Sequence, residues 1–246
     1  MTKRPLILIT NDDGVEAQGI HELTRMMRQL GRVVVVAPDS PRSGAGCSFS
    51  PITPVRVTLL EQEEDLCIYS CSGTPSDCVK LAFDAVLTET PDLVVSGINH
   101  GDNASVNIHY SGTMGAVLEG CMHGISSIGF SLRTREKECD FTPFEEVIVD
   151  VARKALAKPL PEDICLNVNF PQVNVLQGVR YCRQGRGRWS KEWEPTEQSG
   201  VYRSIGTYTN LEPNAEDTDN WAMDHGFASI VPISLDMTAH DYSFPE

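Results

Sequence analysis

Short runs of apolar residues alternate along the chain with segments whose apolar residues recur at helical spacing. Leu6–Thr10 and residues 32–37 are runs that end at polar or turn residues, a pattern typical of buried parallel strands. Between them, residues 17–30 carry an apolar stripe at helical spacing and are followed by Gly31, which predicts a helix. Strand, helix and strand in this order predict a βαβ unit, whose right-handed crossover places the two strands parallel and close together.

The same alternation continues and predicts a single α/β domain built as a three-layer sandwich. Residues 51–60 and 66–72 flank an acidic turn and predict a hairpin. Thr74 is predicted to cap the next helix, with Pro75 at its first position. Further strands are predicted over residues 91–96, 125–132, 164–170 and 227–233, and further helices over residues 75–87, 114–123, 141–157 and 217–225.

The pattern changes near residue 177, where the chain becomes basic and glycine-bearing. Residues 201–209 alternate in the manner of an exposed strand, which predicts a projecting hairpin or arm. Trp189 and Trp193 in this arm are interpreted as an oligomer contact, although isolated surface aromatics would look the same. The predicted organisation of the single domain (1–246) is a core over about residues 1–176 and 217–235, an arm over about 177–216 and a C-terminal tail over 236–246.

Two adjacent acids, Asp12 and Asp13, come directly after the first predicted strand. Open α/β sheets keep their ligand crevice at the carboxyl ends of their strands. Neighbouring carboxylates repel each other, which lowers the stability of the fold unless a cation or a proton offsets the repulsion. A hard divalent cation such as Mg²⁺ or Mn²⁺ takes oxygen ligands and suits this position. The alternative is an acidic turn that caps the helix that follows.

The next strand ends place small and polar residues at the same edge of the sheet. After the second strand, Ser43 lies in a Gly, Ser and Pro loop that either faces a ligand with its hydroxyl and backbone N–H groups or forms a plain glycine turn. After the third parallel strand, Asn99 and Asn103 offer amide groups, although Asn is also a common turn residue. The connection over residues 97–110 is long, and long connections are often functional.

The segment Ser111-Gly112-Thr113 precedes a helix rich in small residues. Free N–H groups at a helix start and the helix dipole attract a phosphate or a similar anion. The alternative is that Ser111 or Thr113 only caps the helix. Two histidines, His100 and His109, lie in the preceding connection and are candidates for substrate contact, whereas the other four histidines are predicted to be structural.

Charge and cysteine content narrow the function classes. The 246 residues carry 20 basic and 34 acidic side chains, a net charge of −14, which argues against nonspecific binding to a nucleic-acid polymer or an anionic membrane. No apolar segment approaches the roughly 18–20 residues that span a bilayer, and no signal peptide is recognised, so a cytoplasmic location is expected. The eight cysteines lack CxxC or zinc spacing and are predicted to be mostly buried free thiols.

Four motifs occur together: NDDG after the first strand, APDSPRSG after the second, SGINHGDN after the third parallel strand, and YSGT before a helix. In this order and spacing the chain resembles the SurE family, the stationary-phase survival proteins, which are metal-dependent nucleotidases. The resemblance is strong from Leu6 to Leu132 and continues in TDNWAMDHGFASIVPISLD near the end. It implies a Rossmann-like α/β/α core, an extended hairpin and a C-terminal arm exchanged between protomers, in a homodimer or homotetramer.

The resemblance also implies a ligand set and an activity. The implied metal ligands, for one Mg²⁺ or Mn²⁺ ion per subunit, are Asp12, Asp13, Ser43 and Asn99. The residues expected to hold the substrate phosphate are Asn103, Ser111, Gly112, Thr113 and Gly44. The expected reaction is hydrolysis of nucleoside 5′- and 3′-monophosphates, with polyphosphate or a sugar phosphate as the alternative substrate. A receiver-like signalling module is a further alternative, but it requires an Asp at the end of the third parallel strand, where this chain has Asn99.

Overall fold

A nine-stranded mixed sheet forms the centre of the molecule. The computed structural model describes residues 4–134, 136, 138–240 and 242. The strands, including four in the arm, are β1 Leu6–Thr10, β2 Arg32–Pro38, β3 Val57–Gln62, β4 Leu66–Cys71, β5 Leu93–His100, β6 Ser127–Leu132, β7 Ile164–Phe170, β8 Val179–Tyr181, β9 Gly187–Ser190, β10 Trp193–Pro195, β11 Tyr202–Ser204, β12 Thr207–Asn210 and β13 Ala228–Ser234. The helices are α1 Gln18–Met27, α2 Pro75–Leu81, α3 Gly112–Met122, α4 Glu145–Ala157 and α5 Asp219–Asp224.

The strand order in the large sheet is β3-β4-β2-β1-β5-β6-β7-β13-β8. The strands from β4 to β7 in this order are all parallel, so their carboxyl ends meet at one edge. β3 runs antiparallel to β4, which confirms the predicted hairpin, and β13 runs antiparallel to β7 and parallel to β8. The sheet thus places the ends of β1, β2 and β5 side by side.

Helices cover both faces of the sheet, which confirms the three-layer α/β/α sandwich. Successive side chains of a strand point to opposite faces, and the central strand β1 shows this directly. Ile7 and Ile9 pack in the core cluster that contains the apolar faces of α1 and α4. Leu8 packs in the opposite cluster with Val79 of α2 and Ala116 of α3. Both faces of β1 are buried, which explains why its residues before Thr10 are all apolar.

Several element boundaries differ from those predicted. β3 begins at Val57 rather than residue 51, because the prolines at 51 and 54 cannot donate to a strand ladder. α4 begins at Glu145, after a short 3₁₀ turn at Thr142–Phe144. The strand predicted to end at residue 96 continues as β5 to His100 after a register shift, so Asn99 lies in the strand and pairs with β6.

The arm is a long hairpin in which β9 pairs with β12 and β10 pairs with β11, both antiparallel. β8, which falls inside the range predicted for the arm, belongs instead to the edge of the large sheet. In the C-terminal tail, residues 236–240 and 242 form no helix or strand, while 241 and 243–246 lie outside the described residues. The predicted exchange between protomers stays a prediction.

All eight cysteines are free thiols, as predicted. Five are buried and two are half-buried, but Cys47 is exposed because it lies in the loop after β2. Among the residues that the structure describes, no helix has the length and apolar character needed to cross a bilayer.

Candidate functional site

The Asp12 side chain at the sheet edge is almost fully enclosed, with an exposed fraction of 4%. The Thr113 hydroxyl donates a hydrogen bond to its Oδ1 atom at 2.5 Å. A Cβ atom added to Gly112 would lie 2.9 Å from the Asp12 Cβ atom, so only glycine lets the first turn of α3 approach this closely. The amino end of α3 is therefore packed directly against Asp12.

Burial is the main reason that the pKa of Asp12 is raised from 3.8 to about 6, and the neighbouring Asp13 carboxylate contributes to this rise. Hydrogen bonds from Thr113 lower the pKa but do not compensate for the loss of solvent. No Lys or Arg of the described residues forms an ion pair with Asp12. A bound cation would strongly stabilise the ionised form of a carboxylate that is buried and unpaired in this way.

Asp13 is half-buried, and His100 contacts it twice. The His100 backbone N–H donates to Asp13 Oδ2 at 3.0 Å, and the His100 Nδ1 atom lies 3.3 Å from the same oxygen. Neither acid caps α1, since that helix begins at Gln18 after Ala17, which makes no side-chain cap. The capping alternative for the acidic pair is therefore wrong.

A cavity of about 400 Å³ opens at this edge of the sheet. It brings together six of the nine residues predicted for the site, from the ends of β1, β2 and β5 and the start of α3: Asp12, Ser43, Gly44, Asn99, Asn103 and Ser111. Asp13, Gly112 and Thr113 are not in its lining, although each is adjacent to Asp12 in sequence or space. His100 lines the cavity, whereas His109 does not.

The irregular end of β5 orients the side-chain amide of Asn99. Its Nδ2 atom donates to the Gly101 carbonyl at 2.6 Å, which leaves the amide oxygen as the atom available to a ligand. The preceding Gly97 has φ +133°, and a Cβ atom there would lie 2.3 Å from the Phe130 carbonyl oxygen. Only glycine can occupy this position.

Asn103 is held at three points by buried side chains. Its Nδ2 atom donates to Ser131 Oγ at 2.8 Å, and its backbone N–H donates to Asn169 Oδ1 at 2.7 Å. The Asn103 carbonyl accepts from Asn167 Nδ2 at 2.8 Å, and Asn169 Nδ2 donates to Asn167 Oδ1 at 2.8 Å. Since an amide nitrogen carries two hydrogens, Asn103 keeps one donor for a ligand.

The loop after β2 is fixed between two other parts of the site. The Arg42 N–H donates to the Asp12 carbonyl at 2.7 Å, and the Gly46 N–H donates to the Tyr110 carbonyl at 3.0 Å. Ser43 and Gly44 lie between these anchors and are exposed on the cavity side. Ser111 caps α3 by accepting from the Met114 N–H at 3.0 Å and lines the cavity as well.

Sequence reasoning missed two sets of residues at the site. The arm contributes Trp189, Glu192 and the segment 204–206 to the cavity lining, and no local signal in the sequence indicates that the arm folds back here. Asn167 and Asn169 do carry a signal, because two polar residues on one face of a buried strand are costly unless they are hydrogen bonded.

The donor set suits a hard divalent cation. It consists of carboxylate, hydroxyl and amide oxygens, which Mg²⁺ and Mn²⁺ prefer over the softer ligands that select zinc or copper. The described residues contain no group of three or more His, Cys, Asp and Glu side chains arranged to hold a metal. Any ion here would thus depend on the two acids and on neutral oxygens, which is common for Mg²⁺.

The fold and the site define an α/β protein with an oxygen-rich ligand site at the carboxyl edge of its sheet. The family described as "Survival protein SurE" matches residues 7–191, and the chain belongs to the SurE family. Proteins named 5′-nucleotidase SurE from Phocaeicola vulgatus and Bacteroides fragilis are 49% and 48% identical to it. These alignments cover 97% and 98% of this chain and 94% and 95% of the relatives. The crystal structure of the SurE protein from Aquifex aeolicus superimposes with a TM-score of 0.82 at 37% identity, covering 96% of each chain.

Proposed function

We propose that this chain is a 5′-nucleotidase, a metal-dependent phosphomonoesterase that converts nucleoside monophosphates to nucleosides and phosphate. The relatives that carry this name over nearly the whole chain support the reaction class. The observation that carries the proposal is the single 400 Å³ cavity in which Asp12, Ser43 and Asn99 meet Asn103 and the start of α3. One divalent ion per subunit, Mg²⁺ or Mn²⁺, is proposed to bind Asp12, Asp13, Ser43 and Asn99.

Different residues of the protein are proposed to bind the phosphate and to accept the proton of the attacking water. A bound divalent cation would supply Lewis-acid stabilisation of the negative charge that develops on the phosphoryl group. Asn103 and the N–H groups at the amino end of α3, with Gly44, hold phosphate oxygens. Asp12 is better placed than Asp13 to accept the proton of the attacking water, because only Asp12 lines the cavity.

The proposal extends to assembly and location. The arm is the proposed contact of a homodimer or homotetramer, which is supported by its exposed Trp193 and Tyr202 side chains. The proposed location is the cytoplasm, where thiols such as the eight of this chain are kept reduced. The net charge of −14 argues against a nucleic-acid polymer or an anionic membrane as the partner, and the proposed partner is a small-molecule nucleotide.

Phosphate release from a nucleoside 5′-monophosphate, measured with Mg²⁺, with Mn²⁺ and with excess EDTA, tests the proposal. We expect chelation to abolish turnover. We expect Asp12→Asn to lower kcat by at least about 100-fold, because the variant loses a ligand of the cation that would stabilise the transition-state charge. Asp150→Asn is the matched control, because Asp150 pairs with Lys154 on the surface of α4. Full turnover in EDTA, or an unchanged Asp12→Asn enzyme, would refute the mechanism. Polyphosphate and a sugar phosphate, tested in parallel, address the alternative substrates.

A further inference from the structure

The two acids of the site are held by different parts of the chain. Asp12 Oδ1 accepts from the Thr113 hydroxyl of α3 at 2.5 Å. Asp13 is held instead by the end of β5, where both contacts from His100 fall on the same carboxylate oxygen, Oδ2. Asp13 Oδ1 accepts no hydrogen bond from the described residues, so it is the oxygen available to a ligand.

Asp13 needs such a support because it follows another acid. The carboxylates of Asp12 and Asp13 repel each other, and the repulsion favours side-chain conformations that separate them. Within the described part of the chain, no Lys or Arg forms an ion pair with Asp13 and opposes this movement. The two contacts from His100 are therefore what keeps Asp13 oriented when no cation is bound.

The imidazole of His100 serves Asp13 alone. We assign the ring hydrogen to Nδ1, because this atom lies 3.3 Å from a carboxylate oxygen and a bare nitrogen there would repel it. The other ring nitrogen, Nε2, is buried and has no hydrogen-bond partner among the residues described. The polar chemistry of the ring is thus directed at a single carboxylate oxygen.

Packing fixes the orientation of the His100 ring. His100 is the last residue of β5 and pairs with Leu132 of β6, so its backbone is part of the sheet. The ring meets Phe141 edge to face, with centroids 5.7 Å apart and an interplanar angle of 88°. Phe141 itself is buried. A partner that is locked by packing in this way can orient a metal ligand.

We propose that His100 is a positioning residue, which holds the Asp13 carboxylate by Oδ2 so that Oδ1 is presented to the divalent cation. This inference rests on the proposed function, which assigns Asp13 to the cation. It gives His100 a role in preparing the metal site before substrate arrives, in place of the direct substrate contact that its position in the sequence suggested.

Two amide variants separate the two nitrogens of the ring. In His100→Asn the amide nitrogen lies as many bonds from Cα as Nδ1 does, so it can still donate to Asp13. In His100→Gln it lies one bond further, near the place of Nε2, which has no partner. We expect His100→Gln to weaken Mn²⁺ binding by about 10- to 100-fold, the usual loss when the supporting partner of a metal ligand is removed, and His100→Asn to retain most of the affinity.

Mn²⁺ binding is measured without substrate, from the electron paramagnetic resonance signal of the free ion, and the site counted is the one that Asp12→Asn abolishes. His100→Ala removes both nitrogens without adding bulk and should bind Mn²⁺ as weakly as His100→Gln does. His109→Ala is the matched control, because His109 lies in the same connection but outside the cavity lining, and it should bind as the wild type does. Urea denaturation in EDTA verifies that each variant is folded.

Equal Mn²⁺ affinity in the wild type, His100→Gln and His100→Ala would overturn the inference, since a histidine that only contacts substrate gives that result. An equal loss in His100→Asn and His100→Gln would overturn it as well, because the donor at the Nδ1 position would not matter. A wild type that binds no Mn²⁺ would refute both the proposed metal site and this role. A protein that shows the expected Mn²⁺ affinities but hydrolyses no nucleoside 5′-monophosphate would refute the proposed function and leave the role of His100 standing.

Discussion

Burial determines the pH range over which the Asp12 carboxyl group loses its proton. An Asp pKa that rises from 3.8 in the unfolded chain to about 6 in the folded protein means that the folded state holds the proton more tightly. The metal-free protein therefore loses stability as pH rises from about 4 to about 6, and the loss is complete above the folded-state pKa. The shift corresponds to about 3 kcal/mol in the free energy of unfolding. Solvent screens this carboxylate little, because the side chain is 4% exposed.

This behaviour gives a direct prediction for Asp12→Asn. In EDTA, the free energy of unfolding of the variant relative to the wild type should increase by about 3 kcal/mol between pH 4 and pH 7, since Asn carries no charge to desolvate. Urea denaturation at a series of pH values measures it. Adding Mg²⁺ at pH 7 should stabilise the wild type but not the variant. If the free energies of unfolding of the two proteins change with pH in the same way, Asp12 is not a buried carboxylate with a raised pKa.

At the scale of elements, β7 positions part of the site without touching the cavity. Asn169 accepts from the Asn103 N–H, so Asn169→Ala leaves a buried donor without its partner, at a cost of about 1–3 kcal/mol in the free energy of unfolding. We also expect a lower kcat/KM, because Asn103 loses one of its three supports. Denaturation and turnover measured on the same preparation test both effects.

Ser229 supplies a matched control for this prediction. It pairs with Asn169 in the β13–β7 ladder and is equally buried, but its hydroxyl has no hydrogen-bond partner among the described residues. Ser229→Ala should accordingly be neutral or slightly stabilising. An Asn169→Ala protein as stable as Ser229→Ala would show that the asparagine network does not support Asn103.

The extent to which sequence predicts this protein differs between elements. The runs that became β1 and β2 are recognisable because strands buried on both faces are apolar throughout, and the motifs at their ends follow from strand direction. The continuation of β5 to Asn99 depends on a register shift against β6, which a local pattern cannot reveal. Trp189 faces the cavity because of a contact with Asn107, 82 positions away in the chain. The metal and phosphate roles of the site residues stay predictions.

At the scale of the whole molecule, the arm carries apolar surface that a single chain leaves uncovered. Trp193 in β10 is 67% exposed and Tyr202 in β11 is 59% exposed, and the two strands pair with each other. Aromatic residues clustered on one exposed hairpin are typical of protein–protein contacts, where they supply large buried area. The net charge of −14 would otherwise keep copies of this chain apart, so contact between them needs a patch of this kind.

Replacing both aromatics, as Trp193→Ser with Tyr202→Ser, should shift the protein to a smaller species. The reason is that a polar replacement removes the apolar area that association would bury. Sedimentation velocity over a range of protein concentrations measures the change. Val175→Ser is the matched control, because Val175 is 72% exposed but lies outside the arm, so it should leave the assembly unchanged. If the double variant sediments as the wild type does, the arm is not the assembly contact. If it dissociates but still hydrolyses a nucleoside 5′-monophosphate, each arm serves the cavity of its own chain, as the contact between Trp189 and Asn107 indicates.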